Sequence, residues 1–334
     1  MMNVFSILLF FVGFVFLIKG SDVLINGASS IAKRLKVSPW VIGLTIVGIG
    51  TSLSELIIGL LANLKGESDI TFGVVIGSNI VNMLLILGLA ASITPLILKK
   101  EWVRQDLLLN FLAILIIMFF VNHVYYFDKT KFLGITRLEG GLLFTFCLIW
   151  LYYLTKRKDS LSEEASELKI YPWFISFVML VGGLIAVIVG GDWVVDGALV
   201  IAKKLNISEG IIGLTIISIG SSLPELFITV VAAVKRNIGL AVGNIIGSNI
   251  FDFLGILGVS ALIRPIAFSP HFNIDLFIVF FSAFLLFVFA ILGRERGFWE
   301  RIFGKKYIIN RYEGIILVIL YILYIYYLLL RAKV

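Results

Sequence analysis

GIGTSLSEL at residues 48–56 and SIGSSLPEL at 218–226 are two copies of one unusual segment, in which a glutamate, Glu55 or Glu225, sits in the middle of a long apolar stretch. Working outward, DVLINGASSIAKRLKVSPWVIGLTIV from Asp22 aligns without a gap with DWVVDGALVIAKKLNISEGIIGLTII from Asp192. Downstream, GSNIVNMLLILG from Gly77 aligns with GSNIFDFLGILG from Gly247. The offset never changes: 192 − 22, 225 − 55 and 247 − 77 are all 170, and Pro95 and Pro265 keep it. A register shared over such a length marks an internal duplication.

The solvent of the two copies follows from composition. Of 334 residues, 60% are hydrophobic and 15% charged, and the mean hydropathy is +1.07. Soluble domains average about 45–50% apolar and about 25% charged residues. So much apolar surface needs lipid as its solvent. The net charge of +7 then reads as basic loops beside anionic lipid, because no basic run is long enough for nucleic acid. Cys147, the single cysteine, excludes an internal disulfide and reads as a buried thiol. The opening MMNVFSILLFFVGFVFLIKG lacks a basic leader and a cleavage site, so it reads as a retained first helix.

Ten spans are expected, near 4–20, 39–64, 69–95, 103–124, 136–155, 173–191, 209–234, 239–264, 273–293 and 312–330. Ser38 with Pro39, Ser208 with Glu209, and Asp69 are the expected caps of spans two, seven and three. The polar segment 156–170 divides the chain into residues 1–155 and 171–334, and 294–311 reads as an interfacial amphipathic stretch. Five spans separate equivalent points, an odd number, so the fold class is an all-α membrane protein of two inverted five-helix repeats. With both termini outside, 18 of the 28 Lys and Arg fall in inner loops and 9 in outer ones, Lys19 lying in a span. That bias places 156–170 in the cytoplasm and both termini outside.

A carboxylate at mid-membrane costs about 2.5–3.5 kcal/mol on insertion scales. No Lys or Arg lies deep in spans two, three, seven or eight to offset Glu55 and Glu225, which points to bound cations. Ser52 with Glu55 and Ser222 with Glu225 are three residues apart; Ser78 with Asn82 and Ser248 with Asp252 are four apart. Each pair puts oxygens on one helical face. An all-oxygen set suits calcium, sodium or magnesium. Gly50, Gly220 and Pro224 loosen the helix beside each glutamate and free backbone carbonyls, while Gly43, Gly77, Gly213 and Gly247 read as close-packing positions. Neither an HExxH nor a nucleophile with its base is present, so the chain does not read as an enzyme. His123, His271, Asp22 and Asp192 read as span-end and loop polarity, and HVYYF and YILYIYY as aromatic interface belts.

GTSLSEL with GSNIVN, and GSSLPEL with GSNIFD, resemble the paired alpha repeats of sodium/calcium exchangers, within the cation/calcium antiporter superfamily. The resemblance spans nearly the whole chain and, without a large regulatory loop, is to compact prokaryotic members. It implies a secondary active antiporter exchanging sodium for calcium in the inner (plasma) membrane, with calcium/proton antiport as the alternative. Its partners would be these ions and the bilayer, with no cofactor, no nucleic acid and no obligate protein partner. By resemblance, Glu55 and Glu225 ligate calcium, with backbone carbonyls of Thr51 and Ser221. Ser52, Ser222, Ser78 and Ser248 form sodium sites, Asn82 and Asp252 complete the polar centre, and Gly48 and Ser218 lend carbonyls. Ser54 in place of proline, Val74 opposite Asn244, and Ser221 in place of threonine depart from the family pattern. Three carboxyls match three sodium ions, whereas calcium needs two charges, so Asp252 is expected to be neutral when calcium is bound.

Overall fold

The computed structural model describes residues 4–35, 37–127, 132–157, 170–204, 218–292 and 307–331. Helix α1 (Val4–Leu35) is followed by α2 (Pro39–Thr51) and α3 (Leu53–Lys65), then α4 (Ser68–Ile93) and strand β1 (Leu96–Leu98). A widely wound turn, Trp102–Leu107, opens α5 (Leu108–Phe127); β2 (Gly134–Ile135) and α6 (Arg137–Lys156) follow. The second half holds α7 (Trp173–Lys204), α8 (Ser218–Ser221), α9 (Leu223–Val234), α10 (Ile238–Ile263), β3 (Ile266–Ala267), α11 (Asn273–Leu292), β4 (Tyr307–Ile309) and α12 (Arg311–Arg331).

Among the described residues, eight helices are long and apolar enough to cross a membrane, or nine when α2 and α3, bent by 45°, form one span. Residues 209–217 of the expected span 209–234, the cap at Ser208 and Glu209, Gly213, and most of 156–170 and 294–311 lie outside the described residues.

Several boundaries differ from expectation. The first and sixth spans do not stop at 20 and 191 but run on as α1 and α7, each of 32 residues. At 1.5 Å per residue each is about 48 Å long, well beyond a bilayer core. Packing carries the polar extensions. A Cβ at Gly13 would lie 2.7 Å from Gly190 O, one at Gly183 2.8 Å from Gly20 O, and one at Gly27 2.8 Å from Ser176 O. These contacts ascend along α1 and descend along α7, so the two helices run antiparallel at backbone distance. Ser30 and Ser176 close the seam with hydroxyls 2.8 Å apart. Ser38 does cap α2, its Oγ accepting from Val41 N, with Pro39 first in the helix. Asp69 does not cap α4: it lies in the first turn and accepts from Ser269 Oγ. Residues 307–309, within the stretch expected to be interfacial and amphipathic, form β4.

The two halves interlock. Strand β1 pairs antiparallel with β4, and β2 with β3. Helix α6 packs on α10 through Gly140 and Gly258, and α12 on α4 through Gly88 and Gly314. The apolar stretches of α4 and α10 are 78% and 83% buried, against 17–39% for the outer spans. These two helices are therefore the core, while outer side chains such as Leu138, Phe174 and Ile322 face outward as lipid contacts.

Two ion pairs that sequence reading did not anticipate pin the ends of α6 and α12. Arg157 Nη1 lies 2.7 Å from Asp106 Oδ2, both side chains nearly fully buried, and Trp40 Nε1 donates to the same oxygen at 2.7 Å. Arg331 Nη1 lies 2.9 Å from Asp275 Oδ2, and Tyr324 OH donates to the other carboxyl oxygen, Oδ1. Arg157 is thus a buried structural cation rather than a loop charge.

Candidate cation site

Both copies of the quoted segment break at the same serine. Ser52 (φ −75°, ψ 7°) separates α2 from α3, and Ser222 (φ −96°, ψ 10°) separates α8 from α9. In the second copy Pro224 has no N–H with which to continue the ladder. In the first, Ser54 takes that place, and its hydroxyl donates to Thr51 O at 3.3 Å. The absent proline therefore leaves the break where it was expected. Facing the breaks, α4 and α10 widen over Val81–Ile86 and Phe251–Ile256, and Asn82 and Asp252 are the second residues of these wide turns. Such π-wound turns recur at functional positions.

Glu55 and Glu225 are each 1% exposed, and Asp252 is fully buried. Glu55 Oε2 accepts from Ser54 at 2.8 Å and Oε1 faces Ser78 Oγ at 3.5 Å. Asp252 Oδ2 accepts from Asn79 Nδ2 at 3.0 Å, and the Ser52 hydroxyl faces the same carboxyl. Glu225 faces the Thr51 hydroxyl and lies within electrostatic reach of both Glu55 and Asp252. Thr51 Oγ1 also approaches Gly48 O (3.1 Å), Ser248 Oγ (3.4 Å) and Asn244 Oδ1 (3.5 Å). Ser248 Oγ donates to Gly48 O at 3.0 Å. That contact requires glycine at 48, where a Cβ would lie 2.8 Å from Asn244 O. Asn82 Nδ2 donates to Asn249 Oδ1 at 3.0 Å.

The structure thus brings Glu55, Glu225, Asp252, Thr51, Ser52, Ser78, Ser248 and the Gly48 carbonyl into one buried polar centre, with Asn82 paired to Asn249 on the adjoining face of α4 and α10. Ser222 is buried at its own break, Ser221 is half-buried in α8, and Ser218 opens α8. One pairing differs from the helical-spacing argument: Ser54, not Ser52, bonds Glu55. The break at Ser52 turns its hydroxyl across to Asp252 of the other half. Asn79, Asn249 and Thr229 were missed, and Asn244 was noted only as the counterpart of Val74. The asparagine of each GSN, 79 and 249, recurs at the 170 offset and was the available signal. Asn244 donates to Glu225 O and Thr229 Oγ1, holding α9 against α10.

Among the described residues no Lys, Arg or His pairs with any of the three carboxyls. Nor do three Asp, Glu, His or Cys side chains converge on one metal-sized point. Any cation held here draws on hydroxyl, amide and carbonyl oxygens as well. Five buried oxygens of these segments have no hydrogen-bond donor: the amide and hydroxyl oxygens Asn79 Oδ1, Asn82 Oδ1 and Ser222 Oγ, and the carboxyl oxygens Glu225 Oε2 and Asp252 Oδ1. Orphaned buried acceptors are unfavourable by about 1–3 kcal/mol each, more for a charged group. Oxygens without donors, in segments without cationic side chains, have the chemistry that hard cations prefer.

The family described as sodium/calcium exchanger protein matches residues 5–156 and 175–330. The sodium/calcium exchanger MaX1 of Methanosarcina acetivorans is 31% identical over 348 residues, 94% of this chain and 95% of that protein. The uncharacterized membrane protein MJ0091 of Methanocaldococcus jannaschii is 36% identical over 292 residues, 86% of this chain and 92% of that protein. A solved structure of the sodium-calcium exchanger NCX_Mj, soaked with sodium and strontium, superposes with a TM-score of 0.79 at 32% identity. It covers 97% of this chain and 98% of that one. With the duplicated acidic segments meeting in one buried centre and a family match over both halves, this chain belongs to the sodium/calcium exchanger family.

Proposed function

We propose that the chain is a secondary active antiporter that exchanges sodium for calcium by alternating access, three sodium ions against one calcium, and is therefore electrogenic. The observation that carries this is three buried carboxyls without a cationic partner, of which Glu225 and Asp252 each hold a donorless oxygen, beside the Asn79 amide, whose own oxygen also lacks a donor. Glu55 and Glu225 ligate calcium with the Thr51 and Ser221 carbonyls, and their two charges balance it. Ser52, Ser78, Ser222 and Ser248 help form sodium sites beside them, with the Gly48 and Ser218 carbonyls. Asn82 and Asp252 complete the centre, and Asp252 is a neutral acid while calcium is bound. A proton needs no such cage of hydroxyls and amides, which favours sodium over protons as the counter-ion.

The ten-span, two-repeat organisation over 1–155 and 171–334, joined by a cytoplasmic linker at 156–170, belongs to the same proposal. The elements support it: α2 to α4 recur as α8 to α10 at the 170 offset, and α1 runs antiparallel to its equivalent α7. The location is the inner (plasma) membrane, with both termini outside. Calcium uptake into proteoliposomes, driven in turn by sodium, potassium or proton gradients, tests the counter-ion. Uptake driven by protons alone refutes sodium exchange.

A further inference from the structure

Asp22 and Asp192 are the matched carboxylates that the central site leaves unused. Lys235, just beyond the end of α9, lies with Nζ 2.5 Å from Asp22 Oδ1 and donates to Asn26 Oδ1 at 3.1 Å. Two residues on, Asn237 Nδ2 donates to Ser29 Oγ at 2.9 Å. Residues 22, 26 and 29 share one face of α1, so the α9–α10 turn grips α1 along three positions. The 170 offset supplies the mirror-image set: Lys65 at the end of α3, and Asp192 and Asp196 on α7. There the grip is absent. Among the described residues neither Lys65 nor Asp192 has an ion-pair partner.

Packing shows the same asymmetry. Helix α1 lies along α9, with the Phe14 and Phe227 rings 6.2 Å apart, whereas α7 has no comparable packing on α3. Ile57, Ile58 and Leu61 of α3 are 56%, 42% and 52% exposed; their counterparts on α9, Phe227, Ile228 and Val231, are half-buried or buried. Since Gly13 meets Gly190 and Gly20 meets Gly183, Asp22 and Asp192 stand about eleven residues apart along the antiparallel pair. At 1.5 Å per residue that is about 16 Å, with the midpoint between them. One carboxylate serves each face.

We propose that Asp22–Lys235 and Asp192–Lys65 are alternating ionic latches, and that the second closes in the conformation in which the first is open. The inference rests on the alternating-access part of the proposed function. In this structure the first latch is made and the second is apart, so it is one of the two end states. A partly exposed ion pair biases an equilibrium by about fivefold at most, enough to favour a closed face and weak enough to release within a transport cycle. Asp196 in place of Asn26 gives the second latch two carboxylates against one lysine.

The test uses the full chain with Cys147→Ser and a protease site inserted in the 156–170 linker. Paired cysteines replace Asp22 with Lys235, or Lys65 with Asp192, all at partly or fully exposed positions. A short bis-methanethiosulfonate bridge keeps the cleaved halves together on a gel, and a reductant removes it. Both pairs should bridge, the second under ionic conditions different from the first, and each bridge should stop calcium flux until reduced. A Lys65/Asp192 pair that bridges in neither sodium-loaded, calcium-loaded nor ion-free membranes overturns the proposal, as does one that bridges without affecting flux. Asp22→Asn and Asp192→Asn, which leave the packing intact, should shift the ratio of half-saturating calcium at the two faces in opposite directions, by up to about fivefold. Shifts in the same direction, or none, overturn it. Bridging is read without reference to the counter-ion, so sodium failing to drive flux refutes sodium exchange and leaves the latch result standing.

Discussion

Replacing Asp252 with asparagine separates the two roles a third buried carboxyl can play. In the first half the equivalent position is Asn82, paired with Asn249 at 3.0 Å; in the second, Asp252 accepts from Asn79 at the same distance. Asp252→Asn therefore puts a pair of amides where the other half already has one, with the donor and acceptor exchanged. The Asn79 donor keeps an acceptor, so the folding penalty should stay below about 1 kcal/mol. If Asp252 is neutral with calcium bound, the amide mimics it, and exchange should fall no more than about fivefold, the equivalent of one perturbed neutral hydrogen bond. In the proposed site, Glu225→Gln removes one of the two charges that balance calcium. A unit-charge pair at 4 Å and an effective dielectric of 20 is worth about 4 kcal/mol, or about a thousandfold, and calcium carries twice that charge. Glu225 Oε2 accepts no hydrogen bond that could soften the loss. The assay is sodium-driven calcium flux in proteoliposomes, with monodisperse elution as the check on folding. Asp252→Asn as inactive as Glu225→Gln, while still folded, would refute the neutral-acid reading and require the charge during transport.

Lowering the pH should inhibit exchange, because a protonated Glu55 or Glu225 cannot ligate a cation; flux should be highest above the titration range and fall as pH drops through it, and a rise on acidification would contradict the site. Arg157→Met should destabilise the fold by about 3 kcal/mol, the lower end for breaking a buried ion pair, because Trp40 still donates to Asp106; an unchanged melting temperature in detergent would show the pair to be dispensable. A cysteine introduced at Ser160 should be labelled only from the cytoplasmic side, and labelling from outside would invert the proposed topology.

The duplication was plain in the sequence because a gapless alignment needs no knowledge of structure. The buried carboxylates were plain because no basic residue lies near them in their spans. Other features depended on contacts that local spacing does not encode. Ser52 and Glu55 sit three apart on an ideal helix, yet the helix breaks at Ser52, and Ser54 becomes the partner of Glu55. The first span was expected to end near residue 20, with Asp22 at its end; in the fold, Gly20 and Ser21 are buried and the backbone of α7 lies against Gly20. Asp106 and Arg157 are 51 positions apart, and nothing in either segment announces a buried pair. The two-residue strands β2 and β3 and the three-residue β1 and β4 are too short to show an alternating pattern. Asn79 and Asn249 were legible as a repeated asparagine, but their role appears only where α4 crosses α10.

The central claim is tested most directly by purified protein in calcium-free, sodium-loaded vesicles diluted into sodium-free medium containing calcium, with membrane potential recorded alongside uptake. Calcium should accumulate only while the sodium gradient lasts. With three sodium ions leaving for each calcium entering, the interior should become negative, and Glu55→Gln should abolish both signals. Accumulation that persists when sodium is replaced by choline inside and an outward proton gradient is imposed, with no response to sodium, would contradict sodium/calcium exchange by this chain.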